Sequence, residues 1–433
     1  MLLRRLDVRG FAGNRTQLRD ALPRPADEQE RSAEAVATII AEVRAKGDSA
    51  LRSFTEEFDH VRLDELRVPA SEIEAALDRV PASLRAALDE AHARILAYHA
   101  HEAGHGGPHG FESGGITVTH LIRPVARAGC YAPGGRARYP STVLMCAAPA
   151  RVAGVGEVVL CVPPGPDGTV DDATLAAAAV AGVDQVYRVG GAQAIAAMAY
   201  GTESVEPVDV IVGPGNRYVA EAKRQVSGVV GVASAFAGPS EVVVIAGPDT
   251  PPELAAIDLV VQAEHGPDGL AWLITWTEAV AEAVSAHVDR MVATSPRRTD
   301  LEATLEAGGY AVMVDGPEQA MEVANIVAPE HLEILTEDAE SWLPRVESAG
   351  AVFLGVLSPA SMGDYLAGPN HVLPTNRTAR FASALRVDDF RRHIHAVRIN
   401  EAGLAELGPH VVTLAETEGL PAHADSVRLR WKT

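Results

Sequence analysis

Four short segments of this chain carry groups able to ligate a metal or move a proton. The first, Val261-Gln262-Ala263-Glu264-His265-Gly266, sets an amide and an imidazole three residues apart. That spacing puts Gln262 and His265 on one face of a helix that Gly266 should end. The second is Ala328-Pro329-Glu330-His331-Leu332-Glu333-Ile334. Pro329 biases Ala328 toward extended geometry, and the alternation that follows predicts a strand end. Glu330 and His331 should then point to opposite sides, as two separate acid–base groups more than as a hydrogen-bonded pair. The third, residues 363–375, packs Asp364 and His371 among turn residues, which suits a binding loop. A helix N-terminus capped by Asp364, with His371 in the next turn, is its alternative. The fourth, residues 418–423, places Glu418 and His423 in the C-terminal tail, where a solvated histidine is the ordinary reading. Together Gln262, His265, Asp364 and His423 supply two imidazoles, one carboxylate and one amide oxygen. Such a set suits Zn²⁺, with Mn²⁺ or Co²⁺ conceivable on the same donors, and it is not a structural site of the cysteine type. Their spacing leaves open whether they meet in space.

Other reactive groups point elsewhere. His99, His101, His105 and His109 lie in the stretch 98–110, whose glycines and Pro108 predict a solvated loop without fixed geometry. The lysines are Lys46, Lys223 and Lys432, and only Lys223 has a context for Schiff-base chemistry, which makes that chemistry improbable. Cys130, Cys146 and Cys161 are odd in number, lack a CxxC pair and sit among apolar residues. They read as buried free thiols of a reducing compartment.

The elements that must position these groups follow an α/β pattern. Residues 29–98 have helical spacing, for example at 33–43 and 83–98, and the alternation at 116–121 predicts a strand. From about residue 125 strand-like runs at 158–162, 185–189, 208–212, 241–246, 270–276, 310–314 and 351–354 alternate with helical stretches such as 171–180, 192–200 and 253–265. Alternation at this spacing implies parallel sheets with covered faces. Glycine-rich turns at 163–168, 190–191, 213–216 and 238–240 punctuate the units and are candidate cofactor loops. No G-x-G-x-x-G follows a strand, so the usual dinucleotide fingerprint is absent. After Arg380 a mixed polar helical tail is expected.

With 433 residues, two or more domains are expected. A net charge of −21 disfavours a nucleic-acid partner. No apolar run approaches the length of a membrane span, and the N-terminal arginines precede no apolar stretch, so a cytoplasmic protein is expected.

Taken with Gly129-Cys130-Tyr131-Ala132-Pro133-Gly134-Gly135, Gly190-Gly191-Ala192-Gln193-Ala194, Gly213-Pro214-Gly215-Asn216 and Ala237-Gly238-Pro239-Ser240-Glu241, the four segments resemble the histidinol dehydrogenase family, in family order from about residue 30 to the end. The resemblance implies a zinc ion on Gln262, His265, Asp364 and His423, and a catalytic pair of Glu330 and His331. Ser240, His371 and Glu418 match substrate-contacting positions, to which the ligands and His331 add contacts of their own. Tyr131, Gln193 and Asn216 match positions that touch NAD. The implied fold has two related α/β domains with parallel, incomplete Rossmann-like sheets, which accounts for the missing fingerprint. After an N-terminal segment (1–25), the first domain takes residues 26–128 and 238–380 and the second residues 129–237. The tail, 381–433, crosses to a second subunit of a homodimer and completes its site with Glu418 and His423. The implied reaction is the NAD-linked, zinc-dependent oxidation of L-histidinol to L-histidine. The alternatives are a family relative acting on another alcohol, such as a sulfonated diol, and a zinc hydrolase. The chain departs from the family pattern at 232–236, 382–386 and 104–110, and none of these is a ligand or catalytic position.

Overall fold

The computed structural model describes residues 1–23, 29–104, 110–134, 138–233, 240–264, 266 and 269–431, with the backbone alone at 29–31. Two parallel sheets dominate it. In the first the order is β1 (Arg4–Asp7), β11 (Gly309–Met313), β10 (Leu270–Thr275), β9 (Glu241–Ile245), β12 (His331–Ile334) and β13 (Ala351–Leu354). In the second it is β6 (Gln185–Arg188), β5 (Glu157–Val162), β4 (Arg127–Tyr131), β7 (Val210–Val212) and β8 (Gly231–Val232). Both grow the same way. From a founding strand, β9 or β4, the chain moves outward through two neighbours and then returns to the founding strand's other side. The reversal falls between β9 and β12 in one sheet and between β4 and β7 in the other.

The strand sequences dictate this burial. EVVVI and EVVLCV are β-branched runs with both faces covered, as parallel strands with crossover helices require. In β5 Val158, Leu160 and Val162 enter one core layer and Val159 and Cys161 the other. In β9 Val242 and Val244 face one layer, Val243 and Ile245 the next. The covering helix Pro140–Ala153 is rich in Ala and small residues and is nearly all buried, so it can lie close to the sheet. The cysteines are free and buried.

Four findings differ from the sequence reading. The helices of residues 29–104, grouped there with 238–380, cover the two faces of the second sheet, and β1 of the N-terminal segment pairs with β11. Helical periodicity shows that a helix has an apolar face but not which sheet it will cover. The tail is not all helical. β14 (Arg391–Ile399) pairs antiparallel with β3 (Ile116–Pro124), which also pairs with β2 (Phe111–Ser113), and only then come the helices Glu401–Thr417 and Pro421–Trp431. β14 is exposed along almost its whole length, so no buried face marks it by apolar alternation. His99 and His101 lie in the helix Ala82–Gly104, and His99 is fully buried; His105 and His109 lie outside the described residues. Ala328 is left-handed, with φ 51°, where it closes the helix Pro317–Val327. Pro329 does keep it out of the right-handed helical region, but by a turn and not by extension.

Candidate active site

β12 begins at His331, and Glu330 sits in the bend before it, outside the regular pleat. Strand alternation therefore does not separate the two side chains. His331 and Glu330 are both buried, with Nδ1 3.7 Å from the Glu330 Oε2. On the other side Nε2 lies 3.5 Å from Oδ1 of Asp364. Neither ring nitrogen has a well-formed hydrogen bond among the described residues. Glu330 is held from behind: its Oε2 accepts the Glu241 N–H at 3.0 Å, and the Ser240 hydroxyl donates to the same carboxylate.

The electrostatics follow from burial and the crowding of carboxylates. Desolvation pushes Glu330 upward, against the pull of His331 and the bonds from Ser240 and the Glu241 amide. Burial, then repulsion from Glu330, lifts Glu241 to about 8. For His331 burial favours the neutral ring, but the charges of Glu330 and Asp364 outweigh it and hold the imidazole at about 9. A ring so placed keeps a proton firmly once it has taken one.

Asp364 lies near the C-terminal end of the short helix Ala360–Tyr365, not at an N-cap. His371 follows in a loop, and its Nδ1 is 2.7 Å from the backbone carbonyl of Asp364. A carbonyl only accepts, so Nδ1 carries the proton and Nε2 is the acceptor face of that ring. Gln262 occupies the last turn of the helix Pro252–Ala263, 4% exposed, with its Nε2 unpartnered among the described residues. His265 lies outside the described residues. Glu418 caps the 401–417 helix and His423 lies on the 421–431 helix, both exposed in the single chain. No cluster of three or more His, Cys, Asp or Glu able to hold a metal forms among the described residues.

The residues expected to touch NAD gather at the carboxyl edge of the second sheet. Tyr131 ends β4 and is buried, its hydroxyl accepting the Gly191 N–H at 3.1 Å. Burial also raises its phenol well above the ordinary value. Gln193, in the helix Gly191–Tyr200, is 1% exposed and its Oε1 has no partner among the described residues. Asn216 is exposed and caps the helix Arg217–Val226, accepting from the Tyr218 and Val219 amides at 3.0 and 3.1 Å. Below that turn the buried Lys223 ammonium donates to the Gly213 carbonyl, and burial draws its pKa down to about 8. Lys223 thus holds a loop.

A cavity of about 320 Å³ between Gly247, Thr250, Trp276, Thr336 and Trp342 opens at the carboxyl edge of the first sheet. His331 is at the amino edge of the same sheet, so neither Glu330 nor His331 lines this cavity. Sequence reasoning missed Glu241, Glu333 and Asp258 as buried or half-buried carboxyls around the site. The signal for Glu333 was available, because it follows His331 by two residues and shares its strand face.

A family model described as histidinol dehydrogenase matches residues 22–431. This chain belongs to the histidinol dehydrogenase family. The histidinol dehydrogenase of Parasynechococcus marenigrum (strain WH8102) is 49% identical over 399 residues, covering 91% of this chain and 90% of that protein. That of Burkholderia mallei (strain ATCC 23344) is 45% identical, with 99% and 97% covered. The crystal structure of the histidinol dehydrogenase from Elizabethkingia anophelis superposes with a TM-score of 0.93 at 35% identity, over 100% of this chain and 98% of that one. The two-sheet α/β architecture is therefore the family's, and the chain is an oxidoreductase. No helix among the described residues is long and apolar enough to cross a membrane.

Proposed function

We propose that the chain oxidises L-histidinol to L-histidine through L-histidinal, a four-electron reaction that consumes two NAD⁺ and closes histidine biosynthesis in the cytoplasm. The observation that carries this reading is the line of buried Glu330 and His331 with half-buried Asp364 in a chain of this family. His331 takes the carbinol proton, and the flanking carboxylates stabilise the imidazolium that results. Glu330, kept basic but buried and fixed by Ser240 and the Glu241 amide, draws a proton from the water that adds to the aldehyde. His331 then gives that proton up to solvent and, neutral again, serves the second oxidation in the same way. The nicotinamide supplies the acceptor for each hydride.

The donors present fit a zinc ion. Gln262 is a buried amide whose unpartnered position takes the ligating oxygen once the amide is turned over, Asp364 is a carboxylate beside the catalytic imidazole, and neither donor is a thiolate. Gln262, His265 and Asp364 would hold the metal with His423 of the partner subunit, and the ion would fix the substrate's imidazole and amine as a template. Gln262, His265, His331 and Asp364 would line the substrate with Ser240 and His371, and Glu418 and His423 would reach it from the second subunit. Tyr131, Gln193 and Asn216 would shape the NAD loops. What supports the crossing tail is its surface: Ile394, Val397, Ile399, Leu414, Leu429 and Trp431 are all exposed in the single chain, apolar side chains that a second subunit would cover.

The test is NADH formed per histidinol at limiting substrate, with the zinc-loaded protein. Two NADH and histidine are expected. One NADH with released aldehyde, or none from folded and loaded protein, would reject the reaction and favour a relative with another alcohol substrate.

A further inference from the structure

We propose that His99, a buried imidazole on a helix of the second sheet, positions His371 for the substrate by fixing the neighbouring Asn370. The role rests on the proposed contact of His371 with the substrate.

His99 stands in the helix Ala82–Gly104 and is fully buried. Its Nδ1 lies 3.0 Å from Oε2 of Glu102, and its Nε2 lies 3.3 Å from Nδ2 of Asn370. Glu102 is held in turn by Nε of Arg386 at 2.6 Å and the Val387 N–H at 3.2 Å. The partners settle every direction in this chain. A carboxylate only accepts, so Nδ1 of His99 carries the proton and donates to Glu102. Nδ2 of Asn370 also lies 2.6 Å from the Met145 carbonyl, and its Oδ1 accepts the Val372 N–H at 2.9 Å. Turning the amide over would set oxygen against a carbonyl and nitrogen against an N–H, so one orientation alone satisfies all the partners. The Asn370 amide then donates one hydrogen to Met145 and the other to Nε2 of a neutral His99. Burial, which lowers the pKa of His99, keeps the ring in that form.

These bonds tie the loop after Asp364 to the other half of the molecule. Gly368, with φ 103°, lets the loop lie on the 82–104 helix, since a Cβ there would meet Cβ of Tyr98 at 3.1 Å and the Arg94 carbonyl oxygen at 3.3 Å. Beyond it Val372 enters the core layer that holds Ile95 and Met145. His371 sits between the two anchors, Asn370 and Val372, and its Nδ1 donates to the Asp364 carbonyl at 2.7 Å. The direction of its acceptor, Nε2, is therefore set through Asn370, and Asn370 is set by His99 and Met145 on two helices that cover the second sheet. His99 touches no reacting atom and is a positioning residue.

The experiment compares two amides at position 99 in the full-length, zinc-loaded enzyme. His99→Gln reaches the place of Nε2 and keeps an acceptor for Asn370, whereas His99→Asn stops near Nδ1 and keeps only the bond to Glu102. His99→Gln should hold KM for L-histidinol within about threefold of the parent. His99→Asn should raise it about tenfold, the scale of one hydrogen bond, with KM for NAD⁺ and zinc content unchanged. Asn370→Ala should do the same, and it carries the test if His99→Asn does not fold. In a His371→Ala background His99→Asn should add nothing further, because its effect passes through His371. A parent-like KM in folded His99→Asn or Asn370→Ala would overturn the role. So would an equal rise in His99→Gln and His99→Asn, a rise in both KM values, or a further rise of about tenfold in the His371→Ala background. If His371→Ala alone leaves KM for L-histidinol unchanged, the substrate contact on which the role rests fails instead.

Discussion

The two parallel sheets grow by the same strand order yet turn opposite edges to their candidate functional residues. In the second sheet Tyr131, Gln193 and Asn216 follow the carboxyl ends of the strands. In the first, Ser240, Glu330 and His331 precede or open them, and Gln262 ends a covering helix. On the proposed assignment, the rule that open α/β sheets bind at their carboxyl edge holds for one half of this molecule and fails for the other. Helix polarity explains the division. Crossover helices run antiparallel to the strands, so their N-termini collect at the carboxyl edge and their C-termini at the amino edge. Helix N-termini favour anions such as a dinucleotide's phosphates, and C-termini favour cations. The amino edge of the first sheet is thus suited to a metal ion and a cationic amine, and the carboxyl edge of the second to NAD.

The largest expected effect breaks the first edge alone. His331→Asn should reduce turnover by about 10²-fold or more while zinc content stays normal. Unchanged turnover would remove His331 from the chemistry and leave the amino edge without a catalytic role.

Next comes the tail, proposed to complete the first edge from a second subunit. His423→Ala should lower zinc occupancy. Mixed with the inactive His331→Asn protein and allowed to exchange subunits, it should recover about a quarter of parental activity, because hybrid dimers rebuild one intact site. Absence of any recovery under proven exchange would place His423 outside the partner's site.

A smaller effect sharpens the other edge. Gly213 has φ 106°, and a Cβ there would meet the Tyr131 carbonyl oxygen at 2.1 Å. Gly213→Ala should raise KM for NAD⁺ about tenfold, through strain of about 1–3 kcal/mol in the loop, without touching zinc content. A metal loss instead would show that the two edges are not independent.

The smallest concerns the seam between the halves. His99 bonds Glu102 through Nδ1 at 3.0 Å and lies 3.3 Å from the Asn370 amide, next to His371. Burial lowers its pKa, against the opposing pull of Glu102. An unfolded histidine titrates near about 6.5, so below that pH the unfolded chain binds the extra proton and stability falls as pH falls. The melting temperature should drop over that window in the parent and less in His99→Gln, and equal slopes would assign the loss to other groups.

Much of this was legible in order along the chain. The apolar runs at 241–245, 270–275 and 351–354 and the Ala-rich helices announced a parallel α/β protein, because buried strands and covering helices write their periods locally. The types and spacing of Gln262, Glu330, His331 and Asp364 announced nitrogen and oxygen chemistry before any contact was known. What local pattern could not carry was decided by tertiary structure. Glu330 joins His331 because a left-handed Ala328 and a bend precede the strand. His99, read as solvated, is buried because the helix runs on through Gly104 beneath the 370 loop. β14 is a strand because β3 has a free edge, and the helices of 29–104 cover the second sheet because its faces are the ones left open. The sequence by itself determined which elements form and which chemistry they bear. Which edge of each sheet carries those groups came only with packing, since that is set by contacts between residues far apart in the chain that no local period encodes.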